Sequence, residues 1–338
     1  MAENSNIAWC DHTFNPWEGC TKIGPGCDHC YAENRNQRFS KGINWGKGAP
    51  RRRTSEANWK LPLKWNREAE RLGIRYRVFC SSLADVFDNE VDPDWRIDLF
   101  DLIRKTPSLN WLLLSKRVGN ISGMINRALR NAHTFQEGED LFVWLKAWDD
   151  GVPPKNVWLG ATVVNQEEAD RDIPKLLIIP AAVRFLSMEP LLGPVDLTFA
   201  DNSDGIFVQK IHGVDWCIIG GESGPHARPM HPDWVRSLRD QCRSYGVPFL
   251  FKQWGEFAPE VSVENDGSPG NGTYLNNSAM CICEKGERIY RVGKNRAGRQ
   301  LDGKTYSEYP FLPPPLENCI DILPHLKEGD SNPGGLDE

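Results

Sequence analysis

The sequence predicts an α/β chain, a partial (β/α) barrel of about six to seven parallel strands with a small C-terminal appendage. Short apolar runs alternate with helical patterns as far as Phe251, and the composition changes after Gly255. The runs are Arg77–Ser81, Trp111–Ser115, Val157–Val163, Val183–Ser187, Val214–Ile219 and Val247–Phe251, with a first strand expected near Asn6–Cys10. Strands that alternate with helices pair in parallel through right-handed crossovers. A continuously apolar strand such as Trp111–Ser115 suits a sheet covered on both faces. About seven strands is fewer than a closed barrel has. An open doubly wound sheet is the competing architecture.

The helix between the first two of these runs follows a clear stripe. Asp94–Lys105 has apolar residues at 95, 97, 99, 100, 102 and 103, and Pro93 suits its first turn. Val118–Arg130 and His231–Tyr245 read similarly, with His231 or Asp233 opening the latter and Gly246 in a suitable position to end it. Residues 131–154 look like an insertion carrying its own helix. We expect a barrel over 1–258, an appendage with short strands over 259–325, and a disordered tail over 326–338.

Of the 338 residues, 40% are apolar, enough to bury a core, and no apolar run approaches the ~20 residues of a membrane span. Met1 to Asn6 is polar and lacks a signal peptide's pattern, so a cytoplasmic protein without membrane contact is expected. Its ten cysteines then read as thiols, metal ligands or catalytic groups rather than disulfides. Residues 35–77 hold 13 Lys and Arg against 3 Asp and Glu, a local charge of +10 in a chain of net charge −6. Trp45, Trp59 and Trp65 interleave with this basic stretch, a pattern that suits DNA or RNA. A solvated basic loop and a docking site for a partner protein are the alternatives.

In barrels and open sheets, chemistry gathers at the carboxyl ends of the strands. Here those ends carry Ser81, Ser82 and Asp85; Ser115, Lys116 and Arg117; Thr162 and Asn165; Ser187 and Glu189; Gly220 to Ser223; and Lys252, Gln253 and Glu256. Any one of these also serves as a helix cap, but the set together makes a charged rim. In Gly220-Gly221-Glu222, glycines let backbone approach a ligand closely and the carboxylate suits an ammonium.

Cys20, Cys27 and Cys30 lie in a turn-rich loop with Gly19, Gly24, Pro25 and Gly26. Thiolates bind iron–sulfur clusters and zinc alike. Three ligands leave one iron of a [4Fe–4S] cluster open, whereas zinc wants a fourth, for which His29, His12 or Cys10 are near in sequence. Three clustered cysteines at the first strand of a β/α chain resemble the radical S-adenosylmethionine (SAM) superfamily. The segments 13–33 (TFNPWEGCTKIGPGCDHCYAE), 81–88 (SSLADVFD), 114–117 (LSKR), 186–194 (LSMEPLLGP), 218–242, 251–256 (FKQWGE) and 293–303 resemble the phage-associated three-Cys-motif family. The spacing, six residues then two, departs from the commonest radical SAM pattern of three then two. The Gly-Gly-Glu motif follows a late strand here rather than the second, so its usual amino-group role is not carried onto Glu222.

The resemblance implies a [4Fe–4S] cluster on Cys20, Cys27 and Cys30, SAM on the open iron, an electron donor, and radical abstraction of a substrate hydrogen. Ser82, Asp85, Lys116, Thr162, Glu189 and Glu222 become candidates to hold SAM or substrate. Cys80 is a candidate hydrogen-atom donor, against the commoner role of a buried core cysteine. The basic, Trp-bearing segment leans the substrate toward DNA or RNA, with base modification or repair as the expected reaction. Two other readings use the same residues: a zinc-stabilised nucleic-acid-binding protein, and a hydrolase with Glu189 and Glu222 as acid and base.

Overall fold

The computed structural model describes residues 5–132, 138–198, 210–259, 280–282 and 288–311. Seven parallel strands form one curled, half-barrel sheet. They are β1 (His12–Thr13), β2 (Tyr76–Cys80), β3 (Leu109–Ser115), β4 (Val157–Thr162), β5 (Val183–Met188), β6 (Trp216–Gly220) and β7 (Phe249–Gln253). Their order in the sheet is their order in the chain, with no reversal. A doubly wound sheet would reverse direction at a switch point, so the partial barrel is the architecture present. The first strand lies a few residues beyond the expected Asn6–Cys10, because Trp9 and Cys10 are drawn into the barrel interior instead.

Crossover helices cover the outer face: α1 (Tyr31–Ser40), α2 (Leu61–Leu72), α3 (Pro93–Arg104), α4 (Ile121–Asn131), α5 (Gly138–Asp149), α6 (Gln166–Leu177) and α7 (Pro232–Ser244). Their starts have local causes. Asp92 caps α3 by accepting from the Asp94 amide, with Pro93 in the first turn. Asn165 caps α6 through the Glu168 amide, and His231 caps α7 through that of Asp233. Gly246, at φ +67°, follows the end of α7 in the left-handed conformation that glycine adopts cheaply. Helix α5 supplies the helix expected within 131–154.

Strand alternation divides the core in two. Val78, Cys80, Leu113, Leu159, Cys217 and Phe251 pack outward in the larger cluster, which the helices join. Phe79, Leu112, Trp158, Phe185, Trp216 and Leu250 point inward and meet Trp9. Trp9 packs 4.5 Å from the Phe79 ring, and Trp158 meets Trp216 edge-on at 6.1 Å. A Cβ on Gly160 would stand 2.3 Å from the Phe185 ring, so a bare backbone is what lets that ring lie across β4. Aromatic side chains therefore fill the amino-terminal half of the interior, and the polar carboxyl ends of the strands are left above them.

After β7 the chain forms a small antiparallel sheet of β8 (Phe257–Pro259), β9 (Met280–Ile282) and β10 (Arg288–Arg291). Residues beyond it return to the barrel. Ser307 bridges Leu250 antiparallel, and the Tyr309 hydroxyl donates to the Ala8 carbonyl at 2.7 Å. The tail expected over 326–338, and most of 260–287, lie outside the described residues. Among the described residues, no helix is long and apolar enough to cross a membrane.

Candidate functional site

The cysteine loop lies over the carboxyl ends of the strands. Gly19 bridges Ala84 just beyond β2, and Cys20 bridges Trp45. A Cβ on Gly26 would stand 2.8 Å from Val164 and 3.6 Å from the Lys116 side chain, and one on Gly24 would stand 2.7 Å from Glu168. The glycines of the loop are what allow it to lie this close on β3 and β4. Tyr31 donates its hydroxyl to the Ser82 carbonyl at 2.5 Å. Ser82 shares hydrogen bonds with the Asn15 amide side chain, at 3.1 and 3.4 Å.

Three arginines from different parts of the chain grip this loop, each anchored on a carboxylate. Arg51, with its side chain 1% exposed, pairs with Asp88 and Glu90 at 2.8 Å each and donates to the Thr21 hydroxyl at 2.8 Å. Arg117 pairs with Asp85 at 3.1 Å, donates to the Thr21 carbonyl at 2.7 Å and reaches the Cys20 Sγ at 3.5 Å. Arg228 holds Glu222 with two nitrogens, at 2.6 and 2.8 Å, and reaches Asp28 at 3.0 Å and the Pro25 carbonyl at 2.9 Å. Charge-assisted and two-pronged bonds of this kind are the strong, geometry-setting ones.

Two of the predicted ligand-holding residues, Asp85 and Glu222, are therefore the anchors of these arginines. Asp85 accepts from the Ser115 hydroxyl, the Phe87 and Lys116 amides and Arg117. Its carboxylate aims Lys116 and Arg117. Glu222 accepts from Arg228 and makes a 3.1 Å contact with His29 Nδ1. Burial pushes the Glu222 carboxyl up, but the Arg228 hydrogen bonds, helped by His29, outweigh it and hold the group below its ordinary range. The neighbouring glycines answer to packing: a Cβ on Gly221 would meet the Trp254 carbonyl at 1.9 Å. They bring two strand-end turns together, where the sequence had suggested an approaching ligand.

A carboxyl lowered on folding contributes stability above its unfolded pKa, which is lost as pH falls through the folded value. Glu222→Gln should therefore melt below the wild type at neutral pH, and the gap should shrink as pH falls through the lowered folded value of Glu222. Thermal melts of both proteins across pH check this; a gap that persists in acid removes the Glu222 charge from the account.

The remaining polar ends meet on the inner rim. Lys116 Nζ lies 3.3 Å from the Thr162 hydroxyl. Glu189 accepts from Lys252 Nζ at 2.6 Å and from the Gln253 amide at 3.0 Å. Gln253 also reaches the Ser223 hydroxyl at 3.2 Å. Gly26 of the cysteine loop lies between Lys116 and Pro190, so the rim and the loop share one mouth.

Cys80 does not join this mouth. It is fully buried on the outward face of β2, and burial pushes its thiol far up. Its side chain faces the helices, away from the mouth where the hydrogen-donor role was expected of it. Of the candidates for a fourth zinc ligand, His12 stacks on Trp65 at 4.4 Å and Cys10 sits among the inward aromatic residues, while His29, inside the loop, turns its Nδ1 to Glu222 at 3.1 Å.

The three cysteines are held by the loop but are not drawn to a single point. Among the described residues, no three His, Cys, Asp or Glu side chains stand close enough to hold one ion. In a cubane each thiolate binds a different iron, so the three need not converge on one atom. The donor set, three soft thiols beside the cations Arg117 and Lys116, fits an iron–sulfur cluster in kind and number. Burial raises the Cys20 thiol to about 11, Asp85 adding to the effect and Arg117 opposing it. Burial also raises Cys30. Loading iron therefore has to displace thiol protons.

The sequence matches the family described as "Protein of unknown function (DUF5131)" over residues 4–310, and the chain belongs to that family. No curated protein matches it. Among solved structures, it is similar to a spore photoproduct lyase mutant with bound AdoMet and dinucleoside spore photoproduct. That similarity covers 86% of this chain and 71% of that chain, at 9% identity and a TM-score of 0.38.

Proposed function

We propose that this chain is an iron–sulfur enzyme of the radical SAM type. The observation that carries the reading is the cysteine loop, held over the polar mouth of a partial barrel by three carboxylate-anchored arginines. Cys20, Cys27 and Cys30 would hold the cluster. Once reduced by an external donor, a three-thiolate [4Fe–4S] cluster held there would supply the one-electron reduction of SAM with which radical chemistry begins.

The protein's own part is positioning and charge. Thr162, Lys116, Glu189, Lys252 and Gln253 offer both signs of charge and several donors at one rim, as a zwitterionic amino acid group requires. Glu189 is already matched by Lys252, so a ligand ammonium there would compete with a cation the protein supplies. Asp85 and Glu222 act through Arg117 and Arg228 as positioning residues. Ser82 joins the Asn15 side chain and the Tyr31 hydroxyl at the foot of α1. The aromatic floor beneath the rim excludes water from the interior. An external electron donor belongs to the same reading.

The test is anaerobic purification, reconstitution with iron and sulfide, then absorbance and reduced EPR with and without SAM. A broad band near about 400 nm and an EPR signal that changes on adding SAM are expected. Stoichiometric zinc with no stable cluster would overturn the proposal.

A further inference from the structure

The basic stretch 35–77 resolves into two sets of residues. Arg51 is buried, Arg53 pairs with Asp98 at 2.7 Å and stacks 4.1 Å from the Trp59 ring, and Trp65 lies in the core. These are structural. A second set stays on the surface, on the helix that follows the cysteine loop. Phe39, on the last turn of α1, is 67% exposed, and the guanidinium groups of Arg35 and Arg38 lie 5.4 and 5.3 Å from its ring centre. Arg35 also reaches Glu18 at 3.4 Å, and Arg52 pairs with the other oxygen of that carboxylate. Arg35 and Arg52 thus share one carboxylate, Arg38 stands by the Phe39 ring, and the patch keeps a positive excess. Ile43, 63% exposed, continues it past the end of the helix.

We propose that the face formed by Arg35, Arg38, Phe39, Ile43 and Arg52 binds single-stranded nucleic acid, with a base stacked on Phe39. An exposed aromatic ring beside two guanidinium groups is the combination that holds unpaired bases and their phosphates together. An acidic protein would use the arginines but would have no need of an exposed ring beside them. The face shares its elements with the cysteine loop: α1, which carries Arg35, Arg38 and Phe39, begins directly after Cys30, and Glu18 stands two residues before Cys20. As a statement about substrate class it rests on the radical SAM reading, in which the strand would present a base to the rim. Binding itself requires no cluster.

The experiment is fluorescence anisotropy with labelled oligothymidylate, oligouridylate and a mixed-sequence duplex, using full-length protein with and without reconstituted iron. Three phosphate contacts predict a log–log salt slope of about −2 for a single strand. Phe39→Ala should weaken single-strand binding about tenfold with the slope unchanged. Arg38→Gln should reduce the slope by roughly 0.7. Tighter binding of oligouridylate or of oligothymidylate identifies RNA or DNA as the preferred strand, and either supports the proposal. Absence of oligonucleotide binding at about 50 mM salt, binding of duplex at least as tightly as single strand, or a neutral Phe39→Ala with equal binding of polyglutamate would each overturn it. The EPR test decides the cluster separately: Phe39→Ala leaves the cluster signal intact, and a cluster-free protein that still binds oligonucleotide fails only the radical SAM reading.

Discussion

Arg51→Met should destabilise the folded chain by about 3–5 kcal/mol, read from the denaturant midpoint. Its side chain is 1% exposed, and that of Asp88, its partner, is 3% exposed. Removing the guanidinium leaves a buried carboxylate with only the more distant Arg117, at 3.9 Å, to balance it, and stripping the close partner from a buried charge is the costly way to break such a pair. More than the pair is lost. Arg51 also donates to the Gly46 and Ala49 carbonyls, at 3.2 and 2.9 Å, so it ties the 44–49 turn to Thr21 and to the loop after β2. Its neighbour provides the control. Arg53 and Asp98 are each about a third exposed, and a solvent-screened pair of that kind contributes about 1 kcal/mol or less. Adding Asp88→Asn to Arg51→Met should recover part of the loss, because the stranded charge is gone. An Arg51→Met midpoint no lower than that of Arg53→Met would remove Arg51 from the list of clamps.

Arg51 also shows what a sequence yields and what it withholds. Apolar runs and caps are local signals, and they place β2 to β7, α3 and α7 to within a few residues. The polar strand ends are equally local, so the mouth of the half-barrel could be foreseen. What each polar side chain does there depends on partners distant in sequence. Arg51, Arg52 and Arg53 read as one basic run, yet one is buried, one meets Glu18 and one meets Asp98. Glu222 reads as open to a ligand because Arg228 and His29 reach it only after folding, His29 from 193 residues away. The motif Gly-Gly-Glu carried a hint of this in Arg228, six residues on, which a search for charge partners at short range would have found. Cys80 ends a strand in the sequence, but strand parity turns it outward, and that parity becomes firm only when the register is known.

Replacing any one of Cys20, Cys27 or Cys30 with alanine should remove most of the iron that the reconstituted wild type carries, about four atoms per chain for one cubane. Cys10→Ala, Cys80→Ala, Cys217→Ala and Cys242→Ala should retain it. All seven are free thiols, so oxidation state does not separate them. Position does. Cys10, Cys80, Cys217 and Cys242 are buried within the two apolar cores, where a charged cluster would be desolvated and have no path of entry. The other three lie on a loop at the mouth, with Lys116 and Arg117 at hand to balance thiolate charge. Iron content and sulfide content of the seven single variants, each checked for an unchanged fold by circular dichroism, test the division directly. Equal iron in all seven would mean adventitious binding. Loss restricted to the loop variants ties the metal to the strand ends, where Lys252 meets Glu189 and Lys116 meets Thr162.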